Sequence, residues 1–333
     1  MGGLLTELGK KLAERWLSLL VLPGLLYLAT LAAAVILGHR HPLDVGRIIR
    51  QVDTWAESPI ATSPGALVLI LLALVLTAAG AGLAAQALGS LTERMWLADQ
   101  WQSWPSPLRR LAHARITRRA TRWEAAFEHY RAQLDTQAAG RADPARAPTS
   151  TDLGPARRAI TRIAQERPAR PTWIGDRVHA VVLRLDRECH LDLPTAWPSL
   201  WLAIPESTRT EITSARQTLS RATTLAGWSL LYLAASALWW PGLPIAAATM
   251  TTAWHRARTA TNTYALLLEA TARLHTTDLA RSLGLDHTGP LNRQTGWAIT
   301  CLLQGQTHLI PLTTGWPTNP RDHTTSGADT HSL

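Results

Sequence analysis

Residues Ala66–Leu88 read ALVLILLALVLTAAGAGLAAQAL and contain no charged side chain. As a helix with a rise of about 1.5 Å per residue, this stretch is about 34 Å long, enough to cross a hydrocarbon core of about 30 Å. Core helices of soluble proteins are rarely apolar on every face over such a length. The stretch therefore predicts a transmembrane helix and indicates a membrane protein.

Three further apolar segments predict spans at 16–37, 222–240 and 244–258. The last is short, so a re-entrant hairpin is an open alternative to a full crossing. The fold class that follows is an all-α integral membrane protein with two transmembrane hairpins, about four spans in all, and a helical cytoplasmic insertion. The predicted regions are an amphipathic N-terminal helix at 1–15, a first hairpin at 16–89, a basic helical region at 90–221 with a linker at 138–155, a second hairpin at 222–258, C-terminal cytoplasmic helices at 259–317 and a disordered tail at 318–333.

The distribution of arginine sets the predicted orientation. The region 90–221 holds 21 arginines against 14 acidic residues, whereas the connector 38–65 holds three of each. Cytoplasmic loops carry the excess of Lys and Arg. We therefore predict a plasma-membrane protein with the basic region and both termini in the cytoplasm, and with the neutral connector and the turn at 241–244 on the opposite side.

Composition and motifs argue against several classes of function. The chain has 333 residues, 15 Trp, two Cys and a formal net charge of +9. None of the nucleotide-binding, hydrolase or zinc-protease sequence motifs occurs, and the first three spans carry no ionisable residue at membrane depth. Ion-coupled transporters and intramembrane proteases need such groups. We accordingly predict no catalytic residues, no cofactor and no metal site.

A basic amphipathic helix is predicted at 107–134. An arginine cluster close to a membrane attracts anionic lipid at about 1 kcal/mol per residue. A protein partner is the alternative, and nucleic acid is disfavoured. The candidate residues for lipid headgroups are Arg109, Arg110, Arg118, Arg119 and Arg122.

The densest charge pattern lies between Trp173 and Pro205, where acidic and basic residues alternate ahead of two tryptophans four positions apart. The pattern predicts a salt-bridged helix docked at the membrane surface by the tryptophan pair, or a site for a ligand or a protein partner at the headgroup level. The candidate interface residues are Asp176, Arg177, Arg184, Asp186, Arg187, Trp197 and Trp201.

The same stretch resembles a group of uncharacterised bacterial membrane proteins of actinobacterial type. The resemblance rests on Gly175-Asp176-Arg177, on Leu191-Asp192 and on the segment Trp197–Pro205, which reads WPSLWLAIP ahead of a membrane hairpin. It covers about 110 residues, and Cys189-His190 replace the aromatic-glycine pair of that group. The resemblance implies membrane topology and no particular activity.

Small residues recur four apart in the predicted second span, a spacing that lets two helices approach closely. The candidate packing residues are Ala78, Gly80, Gly82 and Ala84. Their partner is either another span of the same chain or a second copy of the chain, which would make a homo-oligomer.

Three functions follow from these features. The preferred one is a non-enzymatic multi-span membrane protein that docks lipid headgroups or a protein partner at its cytoplasmic face. The first alternative is an oligomerising membrane effector of the defence or toxin type that perturbs the bilayer. The second is an interfacial enzyme on lipid-linked substrates, with Asp176, Asp186, Glu188 or His190 as candidates.

Overall fold

The computed structural model describes residue 7 and residues 21–57, 63–142, 152–285 and 289–309. In these residues the regular structure is helical and includes no strand, which confirms the predicted all-α class. Short 3₁₀ turns occupy Trp101–Ser103 and Thr307–Leu309. The α-helices are α1 (Leu22–Leu37), α2 (Val45–Ala56), α3 (Pro64–Leu97), α4 (Ser106–Ala142), α5 (Gly154–Ile163), α6 (Trp173–Cys189), α7 (Leu193–Ala203), α8 (Glu206–Ala235), α9 (Gly242–Ser282) and α10 (Arg293–Leu303).

The chain divides into two compact units. Unit 1 consists of Met1–Leu97 and Gln217–Ala260, and unit 2 consists of Ala98–Arg216 and Thr261–Leu333. Helices α8 and α9 contribute residues to both units.

Close helix packing in unit 1 depends on glycine. A side chain at Gly24 of α1 would overlap the carbonyl oxygen of Ala78 in α3, and one at Gly227 of α8 would overlap that of Ala85. A Cβ at Gly89 would lie 2.8 Å from the Cα of Thr224. Absence of a side chain is what lets two helix backbones approach this closely. Helix α3 therefore packs against α1 on one turn and against α8 on others.

Aromatic side chains fill the space between α1 and α8. The ring centroid of Tyr27 lies 6.1 Å from that of Trp228 and 5.5 Å from that of Tyr232. Trp228 and Tyr232 are buried together with Ala85 and Ala246. The hydroxyl of Ser229 donates to the carbonyl of Ala246, 2.8 Å away, and so joins α8 to α9. The tilted and edge-on ring arrangements are those that aromatic pairs prefer.

The connector after α1 and the turn after α8 meet at one end of unit 1. His39 Nε2 lies 2.9 Å from the carbonyl oxygen of Ala237, and Trp239 Nε1 donates to the carbonyl of Pro42 at 2.9 Å. Another aromatic pair, Trp96 and Trp254, joins α3 to α9 with ring centroids 5.4 Å apart.

Helix α3 exposes most of its apolar surface. Only 17% of its most apolar 18-residue window is buried, and Val68, Leu69 and Leu76 are each more than 60% exposed. Among the described residues, α3 is the one helix that is long and apolar enough to cross a membrane, and α1 is a shorter apolar helix. The structure thus contains one clear candidate for a span where the sequence predicts four. The apolar parts of α8 and α9 are halves of longer helices with polar ends.

Several helix bounds differ from those expected from sequence. The connector 38–65 contains α2, which begins where the Asp44 carboxylate accepts a hydrogen bond from the Arg47 N–H. The expected linker 138–155 is helical at both ends. Helix α4 continues to Ala142 through Ala138 and Ala139, which are good helix formers, and α5 begins at Gly154. The expected fourth span and the next helix form one helix, α9. Several predicted parts lie outside the described residues. They are the helix at 1–15 apart from Glu7, the start of the first span at 16–20, the middle of the linker at 143–151, the end of the C-terminal region at 310–317 and the tail at 318–333.

The core of unit 2 lies between α6, α7, α9 and α10. Its buried members include Val181 and Leu185 of α6, Leu200 of α7 and Ile299 of α10, all fully buried. Gly296 of α10 allows that helix to press on the end of α6, because a side chain there would overlap the carbonyl oxygen of Cys189. This core fixes α6, the helix that carries the charge pattern.

Candidate functional site

Helix α6 has a defined signal at each end. The Thr172 hydroxyl accepts a hydrogen bond from the Gly175 N–H at 3.0 Å, as is usual for an N-cap. His190 follows the helix in the left-handed conformation, with φ of 52°, and its N–H donates to the carbonyl of Asp186. The helix that the sequence predicts in this stretch is present, and it begins and ends at these two signals.

Asp176 lies inside unit 2 and is only 6% exposed. Its Oδ1 accepts hydrogen bonds from the backbone N–H groups of Ala169 and Arg170, at 2.9 and 2.7 Å. Its Oδ2 lies 2.5 Å from Arg119 Nη1. Burial raises the pKa of this carboxyl, and Arg119 and the two backbone N–H groups oppose that rise. Asp176 therefore joins α4 to the segment before α6 and is not a surface docking residue, contrary to the expectation from sequence.

Arg119 is a structural residue and does not face outward from α4. Besides Asp176, its guanidinium donates to the carbonyl of Arg170 at 2.8 Å and to that of Ile163 at 2.9 Å. These contacts occupy the guanidinium of Arg119 within unit 2, so the side chain is not available for the lipid-headgroup role that the sequence predicts. The other four candidates are exposed on α4: Arg109, Arg110, Arg118 and Arg122.

Arg177 is almost fully buried, with 2% exposure. Its Nε donates to Asn262 Oδ1 at 2.8 Å. Burial lowers the pKa of the guanidinium, the neighbouring Arg184 lowers it further, and Glu269 opposes both. Within the part of the chain that the structure describes, Nη1 and Nη2 have no hydrogen-bond partner. A side chain buried in this way cannot contact a docking protein, so the surface role expected from sequence is not supported.

A chain of ion pairs links α6 to α9. Arg184 Nη2 lies 3.0 Å from Glu269 Oε2. Arg273 Nη2 lies 3.1 Å from the other oxygen of Glu269, Oε1, and 2.6 Å from Glu188 Oε2. Arg273 and Glu188 are partly exposed, whereas Glu269 is mostly buried. These contacts hold Glu188 in a structural ion pair, while Asp186 and His190, the other candidates for an interfacial enzyme, are exposed.

A cleft of about 650 Å³ opens between α4, α5 and α6. One wall carries Trp123 and Phe127, whose rings stack nearly parallel with centroids 5.0 Å apart. Trp123 Nε1 donates to the carbonyl of Ala164 at 3.1 Å, which fixes the ring. Clefts of about 300–1,000 Å³ that combine aromatic walls with a few polar groups are typical of ligand sites. The lining residues are Trp123, Phe127, Tyr130, Arg157, Ile160, Thr161, Gln165, Glu166, Arg184 and Arg187.

Arg184 and Arg187 are the two candidates from sequence that reach this cleft. Arg187 Nη2 lies 2.8 Å from Glu166, and Arg184 Nη2 donates to Gln165 Oε1 at 2.8 Å. Arg157 was not predicted as a site residue. The sequence signal that could have indicated the cleft is the spacing of Trp123, Phe127 and Tyr130, which puts three aromatic rings on one face of a helix.

The tryptophan pair of α7 packs against the core of unit 2. The ring centroids of Trp197 and Trp201 lie 5.8 Å apart, and both side chains are partly buried beside the core residues. Both rings therefore pack within the unit, and the membrane anchor expected from sequence stays a prediction. Leu202 beside them is 77% exposed.

The four candidate packing residues of α3 fall on two sides of that helix. Ala78 and Gly82 are buried, and Ala78 faces Gly24 of the same chain. Gly80 and Ala84 are exposed. Among the described residues, no atom beyond Gly80's neighbours in its own helix lies within 4 Å of a Cβ built there.

Both cysteines are free and buried. Burial raises the pKa of the Cys189 thiol and that of the Cys301 thiol, which disfavours the reactive thiolate. In the described ranges no three His, Cys, Asp or Glu residues are grouped to hold a metal ion. What the described groups offer chemically is recognition of an anion by guanidinium groups beside an aromatic surface.

Comparisons with known proteins give no match to this chain, whether with family models, with curated proteins or with solved structures.

Proposed function

We propose that this chain is a multi-span membrane protein that acts by binding, and that its basic helical unit docks onto anionic lipid headgroups at the cytoplasmic face. The observation that carries the proposal is the exposed apolar surface of α3. A soluble core helix of the same composition is mostly buried, whereas α3 exposes its leucines along most of its length. Burial in lipid stabilises such a helix by about 25 cal/mol for each Å² of apolar surface that is removed from water.

Contacts within unit 1 support a four-span topology. In such a topology the neutral connector and the turn after α8 lie on the same side of the membrane. The hydrogen bonds from His39 to Ala237 and from Trp239 to Pro42 join these two segments. Glycine-mediated packing of α3 against α1 and α8 is the kind of contact that holds transmembrane helices together.

The start of α4 supports docking onto lipid. Arg109 and Arg110 are exposed, and so are Leu108 and Leu111, at 47% and 68%. Exposed leucines among arginines are typical of helices that lie in the interface of an anionic membrane. Positive charge on this part of the chain also agrees with a cytoplasmic location.

Alkaline carbonate extraction tests the membrane assignment. We expect the full chain to stay in the membrane pellet after carbonate treatment, because apolar helices buried in lipid are not released when peripheral contacts are broken. Recovery of the chain in the supernatant, alongside a peripheral marker protein, would contradict the assignment.

Hydrogen exchange in nanodiscs tests the docking step. We expect amides at 106–118 to exchange more slowly in discs with phosphatidylglycerol than in discs of phosphatidylcholine alone. Replacing Arg109 and Arg110 by Gln removes about 2 kcal/mol of attraction, so most of that difference should disappear. The matched control replaces Arg131 and Arg158, which are also exposed and lie outside this segment, by Gln. Equal exchange in both lipids, or equal effects of the two double variants, would argue for a protein partner instead.

A further inference from the structure

We propose that the cleft between α4, α5 and α6 binds a nucleoside phosphate. This inference concerns unit 2 alone and does not depend on the proposed membrane topology, since all ten lining residues belong to Ala98–Arg216.

The aromatic wall is suited to a planar ring. Trp123, Phe127 and Tyr130 lie on one face of α4 at the i, i+4, i+7 spacing and all line the cleft. Trp123 is fixed by its hydrogen bond to Ala164 and by stacking on Phe127. The Phe127 side chain is 39% exposed and therefore retains surface for a ligand. Stacking of a base on aromatic side chains is favourable for every base, because each has a π-face.

The opposite side of the cleft is basic. Arg157 of α5 and Arg184 and Arg187 of α6 line it, with Glu166 as the one acidic lining residue. Arg187 is paired with Glu166, and Arg184 with Glu269 behind the wall. Arg157 is exposed and, among the described residues, has no ion pair. A guanidinium is the preferred protein group for a phosphate, since its donors match two phosphate oxygens at once.

Polar groups beside the arginines can orient a ligand further. The Gln165 carbonyl oxygen accepts from Arg184, so the amide N–H groups of Gln165 remain donors. The Thr161 hydroxyl, one helical turn from Arg157, donates to the carbonyls of Arg157 and Arg158, so its oxygen remains an acceptor. A volume of about 650 Å³ is in the range of sites that bind a molecule of nucleotide size. The combination of ring surface, cationic side and size selects a nucleoside phosphate.

Fluorescence anisotropy on the full chain in detergent micelles tests the proposal, with N-methylanthraniloyl-ADP as the probe. We expect saturable binding that unlabelled ADP displaces and that adenosine or inorganic phosphate alone displaces much more weakly. Arg157→Gln should weaken binding about tenfold, because it removes a charged hydrogen-bond donor to the phosphate. Phe127→Leu should weaken binding to adenosine and ADP alike.

Arg162→Gln is the matched control, since Arg162 is exposed on the same helix α5 and is not a lining residue. It should leave the affinity unchanged, and thermal unfolding of each variant should match that of the parent chain. Absence of saturable binding, or equal losses in Arg157→Gln and Arg162→Gln, would overturn the proposal. Stronger displacement by short-chain phosphatidic acid than by ADP would also overturn it and would assign the cleft to a lipid headgroup.

Discussion

Asp176→Asn should destabilise unit 2 by about 3–5 kcal/mol, the usual effect of removing one partner of a buried ion pair. The substitution keeps the shape of the side chain but leaves the Arg119 guanidinium, mostly buried, without its counter-charge. It also places an amide N–H group where an oxygen now faces Arg119. The measurement is the urea midpoint of unit 2 in detergent. Unfolding is detected by proteolysis of the exposed chain, and mass spectrometry of the fragments shows that the cleavage lies in unit 2.

Asp186→Asn provides the matched control for this prediction. Asp186 lies on the same helix, three turns further on, but is exposed. Exposed substitutions of this kind usually change stability by less than about 0.5 kcal/mol. Similar losses in the two variants would mean that the charge of α6 as a whole matters, and not the buried pair.

A double substitution separates the charge pair from the packing around it. Arg119→Met combined with Asp176→Leu removes both charges, and replacing a buried pair by apolar residues is often neutral or stabilising. We expect the double variant to regain part of the stability that Asp176→Asn loses. Four contacts would remain missing, so recovery should be incomplete: Arg119 no longer donates to the carbonyls of Ile163 and Arg170, and the backbone N–H groups of Ala169 and Arg170 lose their acceptor on Asp176.

Local sequence signals were sufficient for the helices and for several of their ends. The bounds of α6 follow from Thr172 as a capping residue and from the apolar spacing of Val181 and Leu185. Helix α2 is predictable on the same grounds, because Asp44 stands immediately before an amphipathic pattern from Val45. Even so, the predicted regions include no helix in this connector. Most of the large apolar side chains of α2, namely Val45, Ile49, Val52 and Trp55, are exposed in the structure.

Long-range partners could not be read from the sequence. Alternating charges around Asp176 are typical of a solvated helix, and nothing local indicates that Arg119, 57 positions earlier, supplies its counter-ion. The same holds for Arg177 and Asn262, which are 85 positions apart. For Arg184 and Arg187 the residue types did indicate binding, but the cleft also needs Arg157 from a helix that carried no such signal.

Small residues in α3 could be recognised from their spacing, but the side of the helix that each faces could not. Positions four apart repeat around a helix in several overlapping series, and only tertiary contacts choose among them. Ala78 and Gly82 belong to the buried series, together with Ala85 and Gly89. Gly80 and Ala84 belong to an exposed one. Which side matters for stability is therefore a question for substitution.

Gly227→Ala should disrupt the packing of α8 on α3 and lower the stability of unit 1 by about 1–3 kcal/mol or more. The new methyl group would overlap the carbonyl oxygen of Ala85 and approach the Gly89 backbone nitrogen to 2.8 Å, so the two helices must separate. Backbone atoms cannot move aside as a flexible side chain can. Thermal unfolding of the full chain in detergent, followed by near-ultraviolet circular dichroism of the buried Trp228 environment, measures the loss.

Gly80→Ala is the control because it makes the same chemical change on the same packed pair of helices, at a site with no described neighbour outside its own helix within 4 Å. In the single chain it should be neutral or stabilise α3 by about 0.5–1 kcal/mol, the difference in helix propensity between Ala and Gly. A destabilisation as large as that of Gly227→Ala, accompanied by loss of a cross-linked dimer, would require a second copy of the chain against Gly80 and Ala84. That result would favour the oligomerising effector, since intrachain packing alone gives no reason for an exposed glycine to resist a methyl group.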